Sequence, residues 1–275
     1  MADGDVLTAK EIFRRAQAII TDDHFVYAKK SDGWYHGPDY VNKDAIYVRP
    51  SFVSLLCQSL AMFFRERAID VVVGPTVGAV NLATWTAHWL STIAQLRTSE
   101  VEAIFSDEED VLEGLEVTIG SLSLLPDGRY ETSFPSFGLV TIIFNSAHHF
   151  DRATCLMKIG TRRVFKRGYD KIVRGKRCLI VEDVINSGAT VLKTKTAIEE
   201  VGGTVVGVGA LCNRSGGKVT AQTLGVPELF SLLDLEMKMY KEEVCPICRE
   251  KGAESVRTDL GKGKEFLQRI GKSPK

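Results

Sequence analysis

The stretch Arg177–Thr190, RCLIVEDVINSGAT, constrains the fold of this 275-residue chain more than any other. Its apolar start, RCLIV, does not alternate with polar residues, so it reads as a strand covered on both faces, as in parallel sheets. The strand delivers Glu182 and Asp183 to its C-terminal end, and a loop of small polar residues then opens a helix. Ligands bind at the C-terminal edge of a parallel sheet, and free N–H groups at a helix N-terminus favour an anion. Gly188 permits close backbone approach, while Ser187 and Thr190 add hydroxyl donors suited to a phosphate. The two carboxylates can accept hydrogen bonds from vicinal sugar hydroxyls or help hold a divalent metal. An ordinary N-cap turn would account for an Asp or a Ser alone. It does not account for paired acids followed at once by a small-residue loop, so phosphate, sugar and metal binding converge here.

The same rhythm recurs along the chain. Pro50 and Ser51 open a helix running to Ala68, with Phe52, Leu55, Leu56, Ser59, Leu60 and Phe63 as its inward stripe. Ile69–Val73 is a continuous apolar strand, followed by GPTVGAV and a helix near Asn81–Leu96. Val101–Phe105 and Arg177–Val181 supply two more strands. The helix after VEDVINSGAT runs to Val201 and is ended by Gly202 and Gly203, and Val205–Leu211 makes a fourth strand. Strands alternating with helices predict an α/β fold with a doubly wound, mostly parallel sheet and flanking helices.

Other segments depart from this rhythm. Thr8–Thr21 reads as an amphipathic helix, and the Gly- and aromatic-rich His24–Val48 as loops and short strands suited to a substrate lid. Between Asp107 and Phe150 alternating apolar residues flank the turn Pro126-Asp127-Gly128, which predicts an inserted β-hairpin. The expected organisation is an N-terminal, base-covering segment over 1–50 and a core over 51–260 carrying an insertion at about 107–155. A flexible Lys- and Gly-rich tail is expected over 261–275.

Composition narrows the function classes. Hydrophobic residues make up 44% and charged residues 25%, and 35 basic side chains balance 35 acidic ones, so nothing global points to nucleic acid or membrane. The N-terminus lacks the apolar core of a signal peptide, and no run approaches the ~20 residues of a membrane span. A cytoplasmic protein is expected. Cys57, Cys155, Cys178 and Cys212 are scattered among apolar neighbours, as core thiols are. Cys245-Pro-Ile-Cys248 has the spacing of half a structural zinc site. Such a site needs four ligands, and the sequence offers no second CxxC or HxxxH pair; His148 and His149, in the insertion, read as solvent-facing.

VEDVINSGAT resembles the 5-phosphoribosyl-1-pyrophosphate (PRPP) motif of the type I phosphoribosyltransferases. The resemblance continues through KRGYDKIVRGKRCLIVEDVINSGATVLKTKTAIEEVGGTVVGVGALCNR and reappears in DYVNKDAIY and VVVGPTVGAV, and it is greatest toward the orotate phosphoribosyltransferases. It implies that Glu182 and Asp183 contact the ribose hydroxyls, with Asp183 also serving a Mg²⁺ held mainly through PRPP. Asn186, Ser187, Gly188, Ala189 and Thr190 would cradle the 5-phosphate, and Gly74, Pro75 and Thr76 would form the pyrophosphate loop.

Further roles follow from the resemblance. Arg162, Arg163, Lys166 and Arg167 would sit in a mobile lid flanked by Gly160 and Gly168, with Lys166 and Arg167 acting in catalysis as charge grows on the leaving pyrophosphate. The lid reaches the neighbouring subunit in this family, which implies a homodimer. Where the family usually has a Lys, this chain has Glu108, and Lys158 takes that place if the insertion is spliced out. Arg214 matches the Arg that holds the base's carboxylate, and Tyr40, Val41 and Lys30 would complete the base site. The implied reaction joins orotate to PRPP to give orotidine 5′-monophosphate and pyrophosphate, in pyrimidine nucleotide biosynthesis. Alternatives are another acceptor base, or a regulator that binds PRPP without catalysis.

Overall fold

The computed structural model describes residues 7–27, 33–93, 100–116, 121–124, 130–134, 138–142 and 154–272, with side chains of residues 77 and 110–160 left undescribed. The chain forms two compact units, Met1–Asp107 with Arg163–Lys275, and Glu108–Arg162.

Thr8 caps helix α1 (Ala9–Arg15), its hydroxyl accepting from the Glu11 N–H. The expected helix does not reach Thr21. Gln17 turns the chain with φ 52°, and Ile19–Ile20 becomes a short strand β1. Strands β2 (Phe25–Val26), β3 (Tyr35–Gly37) and β4 (Tyr40–Val41) follow, then the single turn α2 (Asp44–Tyr47). β1 pairs with β4 through Ile19–Val41 and Ile20–Tyr40, and this pairing takes Ile19 and Ile20 away from the helix.

The core begins with α3 (Pro50–Phe64), β5 (Val71–Gly74), α4 (Val77–Ile93) and β6 (Glu102–Phe105). The buried stripe of α3 is Val53, Leu56, Cys57, Leu60, Ala61 and Phe64. Phe63, expected inward, is 42% exposed and stacks on Phe230 with ring centroids 3.8 Å apart.

The unit Glu108–Arg162 carries most of β7 (Asp107–Glu116), β8 (Ser121–Leu124), β9 (Tyr130–Phe134), β10 (Gly138–Ile142) and β11 (Thr154–Val164). β8 and β9 pair antiparallel as the sequence predicts, β10 adds a third strand to β9, and β11 pairs with β7. The turn Pro126–Gly128 and His148–His149 lie outside the described residues.

After α5 (Tyr169–Val173) come β12 (Arg177–Ile185), α6 (Ala189–Glu200), β13 (Thr204–Asn213), α7 (Ala221–Leu224) and β14 (Leu229–Ser231). The central sheet has the order β14-β13-β12-β5-β6 and every pairing in it is parallel. β12, between β13 and β5, is buried from Cys178 to Asp183, so its carboxylates emerge at the middle of the sheet edge. One core cluster, with Leu56, Leu60 and Val72, packs on one face, and another, with Val71, Ile180 and Ile198, on the other.

The C-terminal part contributes β15 (Tyr240–Lys241), α8 (Pro246–Lys251) and α9 (Gly263–Arg269). β15 pairs with β3, which also pairs with β2. The segment expected as a frayed tail is folded: Phe266 and Leu267 of α9 are buried with Val26 and Val256. Two apolar residues on one turn outweigh the Lys- and Gly-rich composition around them. Among the described residues, no helix is long and apolar enough to cross a membrane.

Candidate active site

The paired acids occupy the last turn of pleat before the loop into α6. Glu182 and Asp183 are buried to 4% and 6% exposure. One oxygen of Asp183 accepts from the Val184 N–H at 2.6 Å, and the other pairs with the ammonium of Lys43. The Asp183 N–H donates to Glu182 Oε1 at 3.1 Å. Burial, and then the adjacent Asp183 charge, raises the pKa of Glu182 above the ordinary carboxylate range. Lys43 is shifted upward: burial disfavours its charge, but attraction to Asp183 outweighs that cost.

A pKa raised by folding stabilises the protein below the unfolded-state pKa, and the gain is lost as pH rises through the folded value. Glu182→Gln is therefore expected to raise the melting temperature near neutral pH and weaken PRPP binding. Paired melting curves from acid to neutral pH test this, since an unchanged gap between variant and parent would contradict a buried, reluctantly ionised Glu182.

Gly188 caps α6 in the left-handed conformation, φ 75°, without a side-chain cap hydrogen bond. The first-turn N–H groups of a 12-residue helix thus face the Asn186–Ser187 loop with no side chain in competition. A Cβ on Gly188 would meet Leu224 Cδ2 at 2.8 Å and be held in the left-handed conformation, so a side chain there is strained. Asn186 and Ser187 also line a cavity of ≈ 270 Å³ with Lys218 and Thr223.

Gly74, Pro75 and Thr76 lead from β5 into α4. The Pro75 carbonyl accepts from Ser106 Oγ at 3.2 Å and the Thr76 carbonyl from the Ala79 N–H at 2.9 Å, which fixes the bend. Gly78, one turn on, packs directly on the Asp183 carboxylate and the Lys43 ammonium, where a Cβ has no room. The first turn of α4 and the end of β12 therefore meet.

Arg214 follows β13, its N–H donating to the Ile185 carbonyl at 2.9 Å. It lines a cavity of ≈ 250 Å³ with Tyr27, Tyr40, Val41, Lys43 and Lys262. Its guanidinium lies 5.6 Å from the centre of the Tyr27 ring, and its Nε is buried with no hydrogen-bond partner. Tyr40 stacks on Phe25 at 5.1 Å, while Val41 is buried in the β1 pairing. Lys30 lies outside the described residues, and so does the side chain of Lys158, whose backbone belongs to β11.

The basic cluster differs from its expected form. Gly160–Val164 is strand rather than hinge and loop, because β11 pairs with the acidic β7; Arg162 donates to Glu109 Oε2 at 2.9 and 3.1 Å. Only 165–168 remains as a connection. Arg167, at φ 60°, donates to Asp107 at 2.5 Å and lies over the Phe105 ring at 5.1 Å, and Lys166 is exposed. The acids, the phosphate loop and the base-side cavity therefore adjoin, whereas Arg162 and Arg167 are held by carboxylates.

Lys43, Gly78, Tyr27 and Lys262 are absent from the sequence reading. DYVNKDAIY and GPTVGAV already contained Lys43 and Gly78, so the signal lay inside recognised motifs.

Residues 55–224 match the phosphoribosyl transferase domain, well over half of the chain. The chain belongs to the phosphoribosyl transferase family. Among relatives of this phosphoribosyl transferase, the orotate phosphoribosyltransferase of Caldicellulosiruptor bescii is 28% identical over 240 residues, covering 87% of this chain and 90% of that one. That of Thermus thermophilus is 28% identical over 240 residues, with 87% and 94% covered. The Mycobacterium tuberculosis H37Rv orotate phosphoribosyltransferase structure is 18% identical, with a TM-score of 0.45, covering 84% of this chain and 97% of its own. The Giardia lamblia APRTase structure is 13% identical at a TM-score of 0.48, covering 83% and 98%. Neither score reaches 0.5, and the parallel sheet order and the family match carry the fold.

Proposed function

We propose that this phosphoribosyl transferase is an orotate phosphoribosyltransferase, a pentosyltransferase that joins orotate to PRPP to form orotidine 5′-monophosphate and pyrophosphate. Arg214 is the observation that carries the choice of base. A buried guanidinium Nε without a partner, in a small cavity beside the ribose-binding acids, is an unmet demand for an anionic acceptor. The carboxylate of orotate meets it, and uracil and the purines have none to offer. The names of the curated relatives agree with this reading.

In the reaction, the α6 N-terminus and Ser187 hold the 5-phosphate, and Glu182 and Asp183 orient the ribose hydroxyls. Orotate N1, positioned by Arg214 against Tyr40, attacks C1 as the bond to pyrophosphate breaks. Gly74–Thr76 present backbone to the departing group, and Lys43 adds a cation at the junction of the two subsites. No side chain needs to form a covalent bond; alignment supplies most of the rate. Magnesium fits the donor set, because Glu182 and Asp183 offer hard carboxylate oxygens and Mg²⁺ binds through one or two such groups plus substrate phosphates. When bound, it neutralises charge on the pyrophosphate. A homodimer completes the proposal, with exposed Lys166 of one protomer offered to the site of its partner.

Incubating the protein with PRPP, Mg²⁺ and orotate, uracil, adenine or hypoxanthine in turn is expected to release pyrophosphate with orotate alone. Release with a different base overturns the assignment of orotate. PRPP binding with no release for any base makes the protein a PRPP-binding regulator.

A further inference from the structure

His24, His36, Cys245 and Cys248 converge on one point, with one ligand atom of each within 4.8 Å of all the others. His24 Nε2 lies 3.0 Å from His36 Nδ1 and 3.6 Å from each of the two sulfurs, and Cys248 Sγ lies 3.4 Å from His36 Nδ1. Around a tetrahedral zinc ion, with Zn–S about 2.3 Å and Zn–N about 2.0–2.1 Å, neighbouring N and S atoms are about 3.6 Å apart and two N atoms about 3.3 Å. Four of the six distances among these atoms are already close to that spacing, and none exceeds 4.8 Å. Both histidines and Cys245 are buried.

The groups behind the two imidazoles orient them toward the sulfurs. The outward ring nitrogens both face acceptors: His24 Nδ1 is 2.7 Å from Ser255 Oγ, and His36 Nε2 is 3.4 Å from Glu242 Oε2. Arg269 fixes Glu242 in turn, donating to both of its oxygens at 3.0 and 2.6 Å. Protons on the outward nitrogens leave His24 Nε2 and His36 Nδ1 as lone pairs 3.0 Å apart that face each other and the two sulfurs, a set of four donors that one cation can share. A second shell of hydroxyl and carboxylate behind each imidazole is the usual support for a metal-bound histidine. The N–H of Cys248 also points at Cys245 Sγ, 3.4 Å away.

We propose that His24 through Nε2, His36 through Nδ1, Cys245 and Cys248 bind one structural zinc ion in tetrahedral coordination. Two nitrogens and two thiolates suit zinc and leave no open position for a reacting ligand. Each thiol releases its proton to solvent as the ion binds. The site compensates for a small core: the β2-β3-β15 sheet, α8 and α9 enclose only Val26, Val256, Phe266 and Leu267 among described buried apolar residues of their cluster. The ion joins residues near the N-terminus to residues more than 200 positions later, and thereby braces the Tyr27 and Lys262 side of the Arg214 cavity. The inference does not depend on which base is used.

The test is metal analysis of the full chain, purified without chelator from zinc-supplemented cells. One zinc per chain is expected in the parent, and none in a Cys245→Ser/Cys248→Ser double variant. Because that variant can fail to fold, the parent is also stripped and reloaded with Co²⁺. Intense visible bands of tetrahedral cobalt, together with near-ultraviolet thiolate-to-cobalt charge transfer, are expected. A parent that carries no zinc and gives no such spectrum overturns the proposal. Iron in place of zinc, undiminished zinc in the double variant, or a Cys245–Cys248 disulfide in freshly isolated protein does the same.

Discussion

Replacing Asp183 by Asn is expected to lower kcat by roughly two to three orders of magnitude while the chain remains folded. The carboxylate accepts on both sides, from the Val184 N–H through one oxygen and from Lys43 through the other. An amide of the same shape accepts on one side only and presents an NH₂ to the other donor. It also removes the charge proposed to orient ribose and share in metal binding, at the point where positive character would develop on C1. The backbone of β12 is untouched, because its ladder to β13 and β5 uses main-chain groups. Steady-state kinetics alongside circular dichroism distinguish the outcomes. Wild-type turnover in a folded Asp183→Asn protein would sink the mechanism, whereas an unfolded variant would move Asp183 from chemistry to architecture.

The second large effect concerns the base. Truncating Arg214 to Ala removes the half-buried guanidinium proposed to hold the base's carboxylate, an expected loss of about 2–4 kcal/mol, or roughly 30- to 900-fold in orotate KM. PRPP has no contact with Arg214 in this arrangement, so its KM should change little. That asymmetry is the readout: an equal loss for both substrates would mean that the cavity had collapsed around Tyr27. Arg214→Lys is expected to behave almost as badly as the truncation, because an ammonium cannot reproduce the planar fork.

What could be read from the sequence follows from which interactions are local. Glu182 to Thr190 was legible because strand, acids, glycine turn and helix start are contiguous, and the physics of a sheet edge needs nothing more. The parallel core was legible through unbroken apolar runs such as Val71–Val73 and through glycines closing α6. Ile19 and Ile20 were misread because helical spacing was satisfied, while their real partners, Tyr40 and Val41, compete from another segment. Lys43 is 140 positions from Asp183, and His24 is 221 from Cys245. No local pattern marks such pairs. The zinc-like cluster escaped for that reason: its histidines do not form a spaced pair, and a search for a second short motif cannot find two ligands taken singly from a loop and a strand. The basic segment misled in a different way, since its charge was read as a demand for phosphate and part of it is met by Glu109 and Asp107.

The pairing of Tyr35–Gly37 with Tyr240–Lys241 sets an order of assembly. β12, α6 and β13 follow one another in the chain and can associate early, whereas the pairing of β3 with β15 waits for residues that leave the ribosome some two hundred positions later. Until then the proposed phosphate loop stands without the wall proposed to enclose a base. On that assignment selectivity is acquired last, and a nascent or C-terminally clipped chain is expected to hold a sugar phosphate before it can choose what to attach.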